Sequence, residues 1–431
     1  MKNNKFLTAT FILMIGGLIT KILGFIIRII YTRMVGNEAI ALYSLVMPTY
    51  SLLLTIATLS LPIVISKLIS EHKYKSLKIL SSATIITLIL NLIVIIIIYF
   101  TKDFIAVTLL NDERCSILLM SMTLTFPFVS ISSILKGYFY GKQKMVPHTI
   151  SNIIEQIVRL LLLYLIIPPL VTKGITASVV GLILLSIASE LASILTFLFF
   201  LPKKFTITKK DFKPDLKTTK DILNISLPTV SSRLIGNIGF FFEPIILTNV
   251  LLLSGYSMNF ILTEYGAYNA YSISLLAMPS FFIQAISSSL LPEISRFYYQ
   301  KNILMVKRRF KQALILSLIV GLIFSGLIYI SRDYLLETLY NTLNGSNYIR
   351  ILAPFFVLFY LEGPLQSVLQ AIGQAKTCMF ITFVAIIVKL ASMALLSLCH
   401  IGMYSLVIAE IIDIIIVVLM SYIAIKKSLY N

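Results

Sequence analysis

Charge is scarce in this chain. Only 13% of its 431 residues are Asp, Glu, Lys or Arg, about half the share usual in a soluble domain. Hydrophobic residues make up 58%, and the mean hydropathy is +0.95. A water-soluble globule of this size is excluded, because too little polar surface exists to cover it; lipid has to be the solvent. Cysteine is scarce too: Cys115, Cys378 and Cys399 are scattered and odd in number, which excludes a disulfide framework. His72, His148 and His400 show no metal-ligand spacing, so neither a metal nor a cofactor is expected. No Gly-x-x-x-x-Gly-Lys-[Ser/Thr] phosphate loop occurs, which excludes an ATP-driven pump acting alone. No large polar loop and no nucleophile–base constellation stands out, so an enzyme is not expected, nor is a nucleic-acid-binding module.

What is present is a series of long apolar runs, such as 84–99 and 405–422, close to the ~20 residues that cross a hydrocarbon core. Spans are expected near 6–32, 39–66, 79–101, 115–135, 148–167, 175–201, 221–250, 265–291, 311–330, 348–372, 377–398 and 402–425. The first resembles a signal peptide but lacks a small-residue cleavage site and runs on to Ile30, so it reads as an uncleaved span. With an even number of spans, both termini share a side. Placing them with the even-numbered loops puts 24 Lys and Arg against 4 Asp and Glu there, and 5 against 7 in the opposite loops. The positive-inside rule makes the basic side cytoplasmic. The net +18 is therefore chiefly a topology signal, with attraction of anionic lipids to the cytoplasmic loops as a by-product. The expected product is an all-α polytopic protein of the bacterial cytoplasmic membrane, acting as a monomer.

The chain also repeats itself. Gly24-Phe25 recurs as Gly239-Phe240, Met47-Pro48 as Met278-Pro279, and Leu61-Pro62 as Leu291-Pro292. Tyr99-x-x-Lys102-Asp103 recurs as Tyr329-x-x-Arg332-Asp333, Val158-Arg159-Leu160 as Val388-Lys389-Leu390, and Glu190 as Glu410. The order is kept throughout, at similar offsets. A repeat of six spans preserves orientation, so the halves should be related by a pseudo-two-fold along the membrane normal, with substrate near the midplane and access alternating between sides. The expected layout is a lobe at 1–201, a basic linker at 202–220 and a second lobe at 221–431.

Charges inside the spans carry the functional expectations, since each costs several kcal/mol in hydrocarbon unless paired or wetted. Lys21 and Arg28 lie seven residues apart, so they share a helix face about 10 Å apart along the axis. With Arg233 they form a candidate cavity wall for an anionic headgroup such as a diphosphate, against the plainer reading that Arg28 reaches to the interface. Glu155 and Arg159 stand at i, i+4, either as an internal ion pair or as a substrate contact. Glu410 and Asp413 form an acidic face, either a site for a coupling Na+ or H+ or a partner for Lys389. Glu243 is the repeat equivalent of Arg28, and the two are expected to meet as a gate when the outer cleft closes, unless each pairs within its own lobe. Pro48, Pro62, Pro279 and Pro292 suit bent, cavity-lining helices.

Several of these stretches are familiar. Tyr43-x-x-x-x-Pro48-x-Tyr50 with Leu61-Pro62-x-x-x-Ser66-Lys67-Leu68-x-Ser70-Glu71 resembles the second helix of the stage V sporulation protein B family. Gly137-Tyr-Phe-x-Gly141-x-Gln143-x-Met145-x-Pro147, continuing to Glu155-Gln156-x-x-Arg159, is similar to its fourth and fifth helices. Ser289-Leu-Leu-Pro292-x-Ile294-Ser295 is similar to the eighth, and Lys21-x-Leu23-Gly24-Phe25-x-x-Arg28 to the first. The resemblance implies the multidrug/oligosaccharidyl-lipid/polysaccharide exporter superfamily, a pair of six-helix lobes, and flipping of undecaprenyl-diphosphate-linked saccharides. Among the lipid II flippases of that group a basic pair on helix 1 serves the cavity, in places similar to Lys21 and Arg28. Many relatives carry two further helices beyond the twelfth, where this sequence reaches Asn431, so a polysaccharide carrier other than lipid II is equally expected. A cation-coupled multidrug antiporter on the same scaffold is the alternative, and acidic cavity residues would then dominate.

Overall fold

The computed structural model describes residues 2–71, 74–202 and 215–430. Among them every regular element is helical. The helices are α1 (Lys2–Thr58), α2 (Leu61–Ser70), α3 (Ser76–Asp103), α4 (Cys115–Thr123), α5 (Phe126–Gly141), α6 (Met145–Val171), α7 (Ile175–Phe199) and α8 (Leu216–Leu253). They continue with α9 (Met258–Gly266), α10 (Ser274–Ala277), α11 (Ser280–Tyr299), α12 (Ile303–Tyr340), α13 (Ser346–Ala371), α14 (Ala375–Ser397) and α15 (Tyr404–Tyr430). Ten helical stretches are long and apolar enough to cross a membrane, and α9–α10 with α11, bent by 52°, adds an eleventh. The first stretch, Ile15–Ser70, has 56 residues. At 1.5 Å per residue it measures about 84 Å, nearly three hydrocarbon thicknesses. Its backbone leaves the helical region at Gly36, with φ 81° and ψ 175°, so it accommodates the first two expected spans.

The chain forms two compact units, 1–237 and 238–431. The boundary was expected at the 202–220 linker, of which 203–214 lie outside the described residues. It falls instead within α8, because the first turns of that helix are built into the first unit. Ile222 and Val230 pack in a core with Leu61, Ile65 and Leu68 of α2 and Phe139 of α5. Ser226 donates to the Leu59 carbonyl at 3.1 Å, and Asn237 to Thr55 at 2.7 Å. Asp215 caps the start of α8 by accepting from the Thr218 hydroxyl at 2.6 Å, and this bond holds its carboxyl below the usual range. The core of the second unit joins Leu290 and Ile294 of α11, Phe310 of α12, Val368 of α13 and Ile425 of α15. Large apolar side chains such as Phe100, Leu165, Phe199, Ile330 and Leu395 remain exposed, as lipid contact requires.

The internal repeat is visible in the geometry. Ser116 donates to Asp103 at 2.5 Å while Lys102 reaches Ser116 at 3.2 Å. In the second unit Ser346 donates to Asp333 while Arg332 reaches Ser346 at 3.2 Å. The proline pairs behave less symmetrically. Pro48 sits inside continuous α1, and that path breaks at Leu59 and Ser60, both with positive φ. In the second unit the break is at Met278-Pro279, and Pro292 lies within α11.

Close approach of α2 and α5 depends on Gly137 and Gly141. A Cβ on Gly141 would lie 2.7 Å from Ile69 Cβ and 3.0 Å from the Ser66 carbonyl oxygen, and one on Gly137 would lie 2.8 Å from Ile65 Cβ. Such small-x-x-x-small spacing lets membrane helices touch through their backbones. Gly141→Leu should therefore destabilise the detergent-solubilised protein by about 1–3 kcal/mol or more. Gly326→Leu, whose Cβ would enter open space, should not. Equal unfolding midpoints for the two variants would contradict this packing.

Candidate functional site

In the first unit the repeat-equivalent charged positions meet inside the helix bundle. Arg159 of α6 pairs with Glu155 at 3.1 Å, one turn away, and its Nε and Nη2 donate to Ser189 of α7 at 3.3 and 3.1 Å. Lys136 of α5 stands 3.9 Å from the other Glu155 oxygen, and Gln156 donates to Glu155 at 3.4 Å. Glu190, the next residue after Ser189, is buried, and its Oε2 has no hydrogen-bond partner among the described residues. Tyr43 lies within electrostatic reach of Arg28 and Arg159, and Tyr50 within reach of Glu190 and Arg159. Glu155 and Arg159 are thus an ion pair, with both members part of a wider polar cluster.

Lys21 and Arg28 are both exposed. On a helix, Gly17, Lys21, Gly24 and Arg28 fall on one stripe at i, i+4, i+7 and i+11. A Cβ on Gly17 would meet nothing within 4 Å, and one on Gly24 only Gln156 Oε1, at 3.9 Å. Along this stripe the two glycines alternate with the two cations, and Gly24 lies between Lys21 and Arg28. Arg233, on the part of α8 that belongs to the first unit, is exposed as well.

The second unit carries the opposite polarity. Lys389 of α14 is pinned between Glu243 of α8 at 2.8 Å and Glu410 of α15 at 2.6 Å. Tyr265 donates to Glu243 at 3.3 Å, and Tyr268 bonds Glu410. Asp413 and Glu362 lie within electrostatic reach of the same lysine, and Glu362 Oε1 is buried with no hydrogen-bond partner among the described residues. Four carboxyl groups thus face one ammonium. In hydrocarbon such an excess calls for protons or a further cation. No group of three or more His, Cys, Asp or Glu among the described residues has the arrangement of a metal cage. A cation here would need hydroxyl, amide or carbonyl oxygens as well.

Glu410 therefore pairs with Lys389, the alternative to a coupling-ion site, and Glu243, expected to gate against Arg28, is engaged by Lys389 within its own unit. Two charged participants, Lys136 and Glu362, lie outside the sequence pattern. Lys136 fell one residue outside the expected fourth span, whereas α5 continues to Gly141. Glu362 is the one acid of its expected span, and its place among the apolar residues between Phe355 and Leu365 is the available signal.

The architecture matches solved transporters. A multidrug resistance MATE family transporter of the MOP superfamily, in an inward-facing conformation, superposes with a TM-score of 0.73 over 95% of this chain and 94% of its own, at 16% identity. At that identity the likeness shows the fold alone. The profile of the polysaccharide biosynthesis protein family matches residues 6–298, and the MatE profile matches 244–395. Stage V sporulation protein B of Bacillus subtilis (strain 168) is 36% identical over 90% of this chain and 77% of its own. Lipid II flippase MurJ of the same organism is 24% identical over 90% and 76%. The chain belongs to the polysaccharide biosynthesis protein family, in the multidrug/oligosaccharidyl-lipid/polysaccharide exporter superfamily.

Removing Lys389 strands the buried Glu243 and the half-buried Glu410, whereas removing Glu243 leaves the lysine paired with Glu410. Lys389→Met should cost about 3–5 kcal/mol, and Glu243→Gln only about 1 kcal/mol, read from unfolding of the purified protein. Equal losses would show that Lys389 does not hold the two acids together.

Proposed function

We propose that the protein flips an undecaprenyl-diphosphate-linked saccharide across the cytoplasmic membrane by alternating access, with both termini cytoplasmic. The observation that carries this reading is the open cationic stripe of the first unit. Lys21 and Arg28 stand on either side of Gly24, where the missing side chain lets a diphosphate approach the helix and accept charge-assisted hydrogen bonds from the arginine fork. Arg233 is the third cation assigned to the headgroup. The names of the curated relatives, one a lipid II flippase and one a sporulation protein, support a lipid-linked precursor as cargo.

The acidic cluster of the second unit supports a companion role. Glu410 and Asp413, with Glu243 and Glu362 beside them, take up Na+ or H+ and couple its entry to the transport cycle. The same surplus of carboxyl groups favours the second reading, a cation-coupled multidrug antiporter. The headgroup cations distinguish the two, because a cationic drug has no use for them.

Depleting the protein in its host should cause one lipid-linked precursor to accumulate on the cytoplasmic side. The triple variant Lys21→Ala, Arg28→Ala, Arg233→Ala should reach the membrane and fail to relieve that accumulation, while Lys21→Arg should retain activity. Full complementation by the triple variant would contradict the assignment.

A further inference from the structure

Three connections of the second unit gather at one face: the turn between α8 and α9, that between α12 and α13, and that between α14 and α15. They enclose a cavity of about 360 Å³, at the small end of the range that ligand sites occupy. The expected topology places all three turns outside the cell. The cavity is well removed in kind from the buried Lys389 cluster, since its polar groups are open.

Its walls are built in two layers. In the rear layer, Tyr256 donates to the His400 carbonyl at 2.5 Å and lies against Gly402, whose Cβ would be 3.4 Å from the ring. Tyr348 is buried, donates to one oxygen of Glu264 and meets Tyr404 edge-on at 5.6 Å. These contacts fix the front layer. Phe260 stacks on Tyr256 at 5.1 Å and 21°, leaving 38% of its surface open, and Tyr404 is equally open at 38%. Around these two aromatic groups stand the Glu264 carboxylate and the exposed side chains of Asn344, Asn347 and His400. No hydrogen bond holds the side chain of Asn347 or His400 among the described residues.

Open aromatic faces take the apolar C–H face of a ring. Amide, imidazole and carboxylate groups offer donors and acceptors to hydroxyl and acetamido groups at its edge. That combination suits a sugar. It suits a quaternary ammonium poorly, because a cation cage needs several open aromatic faces converging on one point. Here Tyr256 is covered by Phe260 and Gly402, and Tyr348 is buried. We propose that this cavity is a saccharide-binding site at the extracytoplasmic mouth, which holds a sugar unit of the cargo after it has crossed. The assignment of that sugar to the cargo rests on the flippase reading; the site itself does not.

The chain has no tryptophan, so Leu343→Trp, at an exposed position on the cavity wall, supplies a single fluorescent reporter. In purified full-length protein, at least one of the N-acetylglucosamine disaccharide, maltose and lactose should shift its emission saturably. Tyr404→Ala and Asn347→Ala should each weaken that binding at least tenfold, while Tyr404→Phe should retain it. The proposal is overturned if no disaccharide shifts the reporter, if choline binds more tightly than all three, or if both alanine variants bind sugar unchanged. If sugar binds as expected and the reconstituted protein moves no lipid-linked saccharide, the flippase reading fails and the site stands.

Discussion

Each unit is organised around a half-buried basic side chain paired with acid from its own helices, one carboxylate in the first unit and two in the second. Arg159 takes this place in the first unit and Lys389 in the second, at equivalent positions of the repeat. A charge at this depth cannot be left alone, so its partners constrain the helices that carry them. Arg159 ties α6 to α7 through Ser189 and pairs with Glu155 one turn away on its own helix. Lys389 draws α8, α14 and α15 together through Glu243 and Glu410. The apolar cores then supply packing energy around a geometry that the charges have already restricted.

The two units have diverged from this shared plan in the sign of the charge they display. The first exposes cations, two of them on the stripe of α1 that carries Gly17 and Gly24. The second keeps surplus carboxyl groups and few groups to satisfy them. A cargo with an anionic headgroup and a coupling cation need complementary sites, and a duplicated chain can provide both by retuning equivalent positions. The same divergence appears in the backbone: the first unit breaks its path at Leu59–Ser60, the second at Met278–Pro279.

Much of this was legible from sequence because the signals were local or periodic. Apolar runs located the spans, and the i, i+4 spacing of Glu155 and Arg159 announced a pair. The repeat matched Arg159 with Lys389, and the Asp103 and Asp333 networks carry that match into three dimensions. What escaped depended on contacts distant in sequence. Lys389 is legible as a partner for Glu410, but its bond to Glu243 of α8 is not, and Glu362 gains significance only from its neighbours in space. The unit boundary moved into α8 because Ile222 and Val230 are buried against α2, which no composition shift records. Lys136 lies one residue past the apolar run of the fourth span, whereas α5 continues to Gly141.

The account turns on the sign of the cargo. Purified protein in vesicles, supplied in parallel with an undecaprenyl-diphosphate-linked saccharide and with a lipophilic cationic dye, tests it directly. The account predicts that the anionic lipid-linked sugar crosses and the dye does not. Transport of the dye, with the lipid-linked sugar left in its original leaflet, would contradict it.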